Sequence, residues 1–248
     1  MNELQEAYCS LLLRREVLRK EAVQYQISYM QIFGELLTEA YQEKLHCIAL
    51  RKQIAFCQKR INQGQQIDAA ELDQYLALTM EEYYQQLDVL LAQSRAAAEA
   101  KTVSSLVSRK VKKLYYALAK MIHPDLHPEL ADNETLQEYW EELTFAYESN
   151  DLQRLEELKV LVESCLAELH NEEQEIDIPD LPLKINAVRK EIEEILHTDP
   201  YLYRFFLADQ EAVEEKKKEL QQEIADSHSY AEELEGVLAS FPIRRNTA

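Results

Sequence analysis

The reading of this chain turns on KVKKLYYALAKMIHPDLHP, residues 110–128. Leu114, Leu118, Met121 and Ile122 recur there at helical spacing, the period of a helix with one apolar face. Pro124 stops that helix, because proline has no N–H to donate and disfavours helical backbone in the residue before it. Beyond the loop, Trp140, Leu143, Ala146 and Tyr147 show the same period. Leu114, Leu118, Met121 and Ile122 need an apolar partner, and Trp140, Leu143 and Tyr147 supply one. Two antiparallel helices are therefore expected to zip together, holding His123, Pro124 and Asp125 outward at their tip.

Charge sharpens the picture. Between Val103 and Ile122 stand Arg109, Lys110, Lys112, Lys113 and Lys120, with no acidic residue. Residues 125–158 then carry eleven acidic side chains and one basic, Arg154. The whole chain of 248 residues has 27 basic against 46 acidic side chains, a formal charge of −19. Such a chain repels phosphate backbones, so nucleic acid is not an expected partner. An isolated basic helix in an acidic protein instead attracts an acidic protein surface and raises the rate of encounter with it.

With these residues in place, positions 103–158 resemble the J-domain, the module of DnaJ-type co-chaperones. That family joins a basic helix to an acidic-flanked helix through a His-Pro-Asp loop, matched here by His123, Pro124 and Asp125. The resemblance implies docking of the loop and the basic residues Arg109, Lys110, Lys112, Lys113 and Lys120 on an acidic patch of a DnaK-type chaperone, whose ATP hydrolysis the loop stimulates. On this reading the protein is not itself an enzyme and uses no cofactor. Tyr116 and Ala117 stand where the family usually has further basic residues, and the family's Gly/Phe-rich linker, zinc modules and β-rich client domains have no counterpart. The alternative is a coiled-coil scaffold or adaptor with a degenerate J-domain. Three rival readings attach to the motif. His123-x-Asp125-x-His127 has metal-ligating side chains, but ligands two residues apart on a proline-bearing loop give poor geometry. A His–Asp catalytic dyad lacks a nucleophile or substrate pocket. A purely structural helix-stop role is the strongest rival.

Working outward, residues 2–62 contain no proline and one glycine, Gly34. Leu4, Tyr8, Leu11, Arg15, Leu18, Ala22, Tyr25, Tyr29, Ile32 and Leu36 form a heptad-like row, which predicts a long helix packed along another. Gly64 suits the left-handed position after its end. Asp68 and Glu71 form a capping box for a second helix faced by Leu72, Leu76, Met80, Tyr83, Leu87 and Leu90. Residues 1–101 thus read as a helical hairpin arm and 102–170 as the J-like module, with Asp132 or Asn133, and then Asn150, as caps within it. Residues 171–182, NEEQEIDIPDLP, read as a linker, and 183–248 as a carboxy-terminal hairpin or coiled coil. In that last segment Thr198-Asp199-Pro200 marks a stop and restart. Val213, Lys217, Leu220, Ile224, Ser227, Ala231, Leu234, Leu238 and Phe241 then hold four-three spacing. These arms would recruit a client or partner, and their seams either pack within the chain or pair two copies as a homo-oligomer.

Composition closes off other classes. Three glycines and six prolines do not serve turn-rich sandwiches, barrels or doubly wound sheets, and leave no glycine-rich phosphate loop. The fold expected is all-α. Cys9, Cys47, Cys57 and Cys165 share no metal or redox spacing, so reduced thiols of a cytoplasmic protein are expected, with no metal. No stretch reaches the length of a membrane span, and MNELQEAYCS does not read as a signal peptide. His46, His170, His197 and His228 are scattered, the middle two near helix ends where a cation suits the dipole.

Overall fold

The computed structural model describes residues 3–100, 104–130, 132–169 and 178–244. Among them the chain is all-α apart from one short ladder and a single 3-10 turn. Helix α1 (Glu3–Asn62) runs 60 residues without a break. Gly64 then takes a φ of 67°, the left-handed conformation that a Cβ would strain. Strand β1 (Ile67–Asp68) follows, and Asp68 caps helix α2 (Ala69–Glu99) by accepting from the amides of Ala70 and Glu71. The return half of the expected capping box is not made, because Glu71 pairs with Arg60 at 2.8 Å instead.

Ser104 caps α3 (Ser105–Ile122) and Asn133 caps α4 (Glu134–Glu148). For α5 (Leu152–Leu169) the cap is Asp151, whose carboxylate accepts from the Arg154 amide, and not Asn150. Asn150 takes a left-handed φ of 58°, a backbone state that asparagine tolerates better than most residues. Helices α6 (Leu181–His197), α7 (Tyr203–Ala208) and α8 (Gln210–Ala239) follow, and β2 (Ile243–Arg244) pairs in parallel with β1. Pro200 lies ahead of α7 and not in its first turn. No described helix is long and apolar enough to cross a membrane.

The chain divides into two compact units, residues 1–24 with 101–202, and residues 25–100 with 203–248. In the first, α3, α4 and α5 each pack on the other two, burying Leu118, Leu143, Leu155 and Leu158. The start of α1 adds Tyr8, Leu12, Leu13 and Val17 to the buried set, and α6 adds Leu181, Ile185, Val188 and Ile192. Each such aliphatic side chain contributes about 1.5–3 kcal/mol when fully buried.

The second unit holds the hairpin expected of α1 and α2. Gln31 donates to the Ala97 carbonyl at 2.9 Å and Tyr41 to Gln86 at 2.7 Å, while Phe56 meets Tyr75 at 5.2 Å. As the α1 number rises the α2 number falls, so the two helices are antiparallel. Between these contacts, a Cβ on Gly34 would stand 2.7 Å from Ser94 Oγ, so glycine permits the close approach. Along α8 the offset is constant instead: Phe33 and Ala40 cluster with Val213 and Leu220, and Cys47 donates to the Ser227 carbonyl at 3.1 Å. Helix α8 therefore runs parallel to α1, and its seam packs within the chain.

Three expectations need correction. Leu4 and Ile32 of the amino-terminal row are 51% and 39% exposed, while Leu12, Leu13, Val17 and Phe33 are buried. Helix α1 is covered on more than one side, so its apolar stripe is broader than a two-helix seam. The segments 1–101 and 183–248 are each shared between the units, since Tyr8, Leu12, Leu13 and Val17, and Ile185, Val188 and Ile192, are buried in the first. Of the expected linker 171–182, positions 171–177 lie outside the described residues, whereas Ile178 is buried and Leu181 already begins α6.

Candidate functional site

The last turn of α3 builds the loop. In a continuing helix the Lys120 carbonyl would accept from the amide four residues on, but that residue is Pro124, which has none. His127 takes its place: Nε2 donates to the Lys120 carbonyl at 2.8 Å, and Nδ1 faces the Glu129 carboxylate at 3.0 Å. The Asp125 amide also turns from the helix and donates to His123 Nδ1 at 3.0 Å, leaving the His123 proton on Nε2. The amides of Leu126 and His127 donate to the His123 carbonyl. The turn is closed by its own side chains.

His123 is not held outward as the sequence suggests. It is 5% exposed, with its ring 4.5 Å from that of Trp140. Burial pulls it down to about 4 against the opposing pull of Asp125, so the ring is neutral near pH 7. A neutral imidazole with Nδ1 satisfied is a largely apolar disc, and Trp140 offers the surface to cover it. Behind this pair Tyr115 stacks on Tyr147 at 4.0 Å, and burial, followed by nearby groups such as Glu16, pushes both phenols up. Pro124 is exposed and Asp125 half-buried, so these two residues form the visible tip. Beside them a cleft of about 200 Å³ opens between Ile122, Pro124, Leu136 and Trp140.

Asp125 has a partner that the sequence reading missed. Tyr8, buried on α1, lies beside its carboxylate: burial and then the Asp125 charge raise the Tyr8 phenol. Seven residues on, the Arg15 side chain is 14% exposed, bonded to Glu16 at 2.8 Å and to Glu191 of α6 at 3.3 Å. Burial, the largest single influence, would lower the guanidinium, but Glu16, Glu191 and Asp125 together outweigh it and hold it above its ordinary value. Lys20 donates to the Tyr147 carbonyl at 2.5 Å and to Asn150 Oδ1 at 2.7 Å, its ammonium 3.9 Å from the Tyr147 ring centre. Burial lowers it to about 8. The start of α1 thus touches the motif both at its loop and at the far end of α4. One sequence signal pointed this way: Arg15 stands in an otherwise apolar heptad row. Tyr8 in the same row looks like any seam residue.

The basic residues fall where their spacing puts them. Arg109, Lys113 and Lys120, at i, i+4 and i+11, form one exposed stripe opposite buried Val111, Leu118 and Ile122. Tyr116 shares that stripe. Lys110 is exposed on one flank, and Lys112 on the other is half-buried, 5.9 Å from the Tyr116 ring. None of these five cations forms an ion pair among the described residues. The loop with its basic stripe is thus a rigid, charged protrusion: it can dock on an acidic surface and offer the outer side of Asp125 to a donor.

The remaining candidates serve the fold. Both His127 nitrogens and His123 Nδ1 are engaged, and among the described residues no three His, Cys, Asp or Glu side chains converge. His197 reaches the Glu193 carbonyl at the end of α6, His46 meets Glu235 and His228 meets Glu43; His170 lies outside the described residues. All four cysteines are free, and burial raises the thiols of Cys9, Cys47 and Cys57. Comparison with known proteins finds no matching family model, no matching curated protein and no matching solved structure.

Proposed function

We propose that this protein is a J-domain-like co-chaperone, which docks on an acidic surface of a DnaK-type chaperone and accelerates its ATP hydrolysis. One observation carries the reading: the unpaired stripe of Arg109, Lys113 and Lys120 leads into a His-Pro-Asp turn closed by its own side chains. Preorganisation lowers the entropic cost of docking, and the stripe steers the encounter. Lys110 and Lys112 widen the charged face, while Pro124 and Asp125 make the contact at the tip. His123 acts from behind, shaping the turn through the Asp125 amide. The helices of the second unit are left to recruit a client.

A second reading, a helical scaffold without chaperone docking, draws support from Tyr8 beside Asp125 and from the burial of His123. Single-turnover ATP hydrolysis by a DnaK-type chaperone, with and without this protein, separates the two. Stimulation that vanishes in Asp125→Asn, with helicity unchanged, supports the co-chaperone. A wild-type chain that stimulates nothing supports the scaffold. Lys112→Glu with Lys113→Glu should weaken docking, and added salt should weaken it for the wild type.

A further inference from the structure

The second unit carries a cleft unrelated to the loop chemistry. It has a volume of about 790 Å³ and is floored by Leu50 of α1, Leu72 of α2, Leu238 of α8, and Phe241 and Ile243 beyond it. Its other lining residues include three carboxylates, Asp68, Asp73 and Glu235, and no lysine or arginine. The Asp68 carboxylate is committed to the cap of α2, and Glu235 has only His46 beside it, at 3.2 Å. Asp73 has no ion-pair partner among the described residues. An apolar floor under uncompensated negative charge favours an apolar group flanked by cations.

We propose that this cleft binds an extended peptide segment in which large apolar side chains are flanked by Lys or Arg. Volumes of this size accept several side chains. The two-stranded ladder of β1 and β2 contributes Asp68 and Ile243 to the wall. The lining is drawn from α1, α2, the ladder and α8, a spread that suits an extended peptide better than a compact small molecule. The peptide's basic residues would meet Asp73 and Glu235 while its apolar residues cover Leu238 and Phe241. Nothing in this assignment depends on docking by α3.

The test is fluorescence anisotropy with the full chain and a labelled peptide in which a Leu-Leu-Phe core is flanked on both sides by Lys-Arg. The wild type should bind it, and should bind the same peptide with Glu at every basic position about tenfold more weakly. Asp73→Lys with Glu235→Lys should abolish that preference. Ala239→Trp plugs the cleft from an exposed position on α8 and should remove binding, while an unchanged melting curve shows that the fold survives. Equal binding of both peptides, or undiminished binding by the plugged variant, would overturn the proposal. So would a wild type that self-associates in sedimentation and dissociates on plugging, since the occupant would then be a second copy. No chaperone is present, so failure here leaves the co-chaperone reading standing, and the reverse also holds.

Discussion

Helix α1 gives residues 3–24 to one unit and 25–62 to the other, and the company it keeps differs in kind. In the second stretch Phe33, Ala40, Cys47 and Leu50 meet Val213, Leu220 and Ala231 in a largely apolar seam, to which Cys47 adds one bond to the Ser227 carbonyl. In the first, Tyr8, Arg15 and Lys20 reach Asp125, Glu191 and the end of α4. Heptad packing is generic, since any apolar stripe of the right width satisfies it. The polar contacts are not interchangeable, because each buried donor or acceptor left alone costs about 1–3 kcal/mol. The titratable groups moved furthest, His123, Lys20, Tyr115 and Tyr147, all belong to the first unit. Packing mutations should therefore act on either unit, whereas pH and charge should act chiefly on the first.

The harshest way to break this comparison is truncation after residue 170. From the sequence that cut removes a carboxy-terminal arm and leaves the rest intact. In the structure it strips Leu181, Ile185, Val188 and Ile192 from the first unit and Val213, Leu220 and Ala231 from the second. At about 1.5–3 kcal/mol for each large aliphatic side chain, the loss is of the same size as the roughly 5–15 kcal/mol by which folded domains are stable. Light scattering should find the fragment aggregated. A soluble fragment with wild-type helicity and melting would show that α6 is not part of the first unit's core.

Phe33→Ala tests the apolar side alone. The ring is fully buried, 4.8 Å from Tyr29 and 5.8 Å from Phe206, and its removal should cost about 3–5 kcal/mol by urea denaturation. A cost below about 1 kcal/mol would mean that the second unit collapses around the cavity and its seam is looser than it looks. The loss should not vary between about pH 4.5 and pH 7, since no carboxylate or histidine stacks on that ring.

Local physics made the helices legible. Apolar period, Pro124, Gly64 and the cap Asp68 all act within a few residues, so the sequence alone places them, and it narrows the cap of α4 to Asp132 or Asn133. The partners did not follow from it. Lys20 and Tyr147 lie 127 positions apart, and no spacing rule connects them. The burial of His123 depends on Trp140 covering it and on the Asp125 amide satisfying Nδ1, a matter of turn geometry and not of pattern. Asn150 and Asp151 are both good caps by type; the left-handed turn claims the asparagine and leaves the aspartate to cap α5. The basic stripe was readable because exposed charge needs no partner.

The pH response sharpens the contrast from the side of the first unit. Unfolded, His123 takes up a proton near pH 6.5; folded, it does so only near 4. Between those values the unfolded chain binds more protons, so stability present above pH 6.5 is lost as pH falls toward 4. The contribution is on the order of 2–3 kcal/mol. His123→Gln keeps an acceptor for the Asp125 amide but cannot titrate. Carboxylates titrate alike in both proteins and cancel in the difference. Urea denaturation at about pH 7 and about pH 4.5 should therefore give a shallower decline in the variant than in the wild type. Parallel declines would mean that the imidazole is hydrated and protonates freely, and that the buried turn described above is wrong.

The smallest effect and the finest test belong to Tyr8→Phe. The change keeps the buried ring and removes only the hydroxyl that neighbours Asp125. Asp125 is half-buried and can turn to water, so the loss should be about 0.5–1.5 kcal/mol and not the larger cost of stranding a fully buried charge. For a unit of this size that is a fall of a few degrees in Tm. The informative readout is docking. If a chaperone contacts the Asp125 carboxylate, it competes with the Tyr8 hydroxyl, and freeing the carboxylate should tighten binding even as the fold weakens. If Tyr8 merely props the loop in its docking conformation, the variant should lose stability and affinity together. Opposite signs in stability and affinity would mark the start of α1 as a restraint on the tip, and equal signs would mark it as the tip's support.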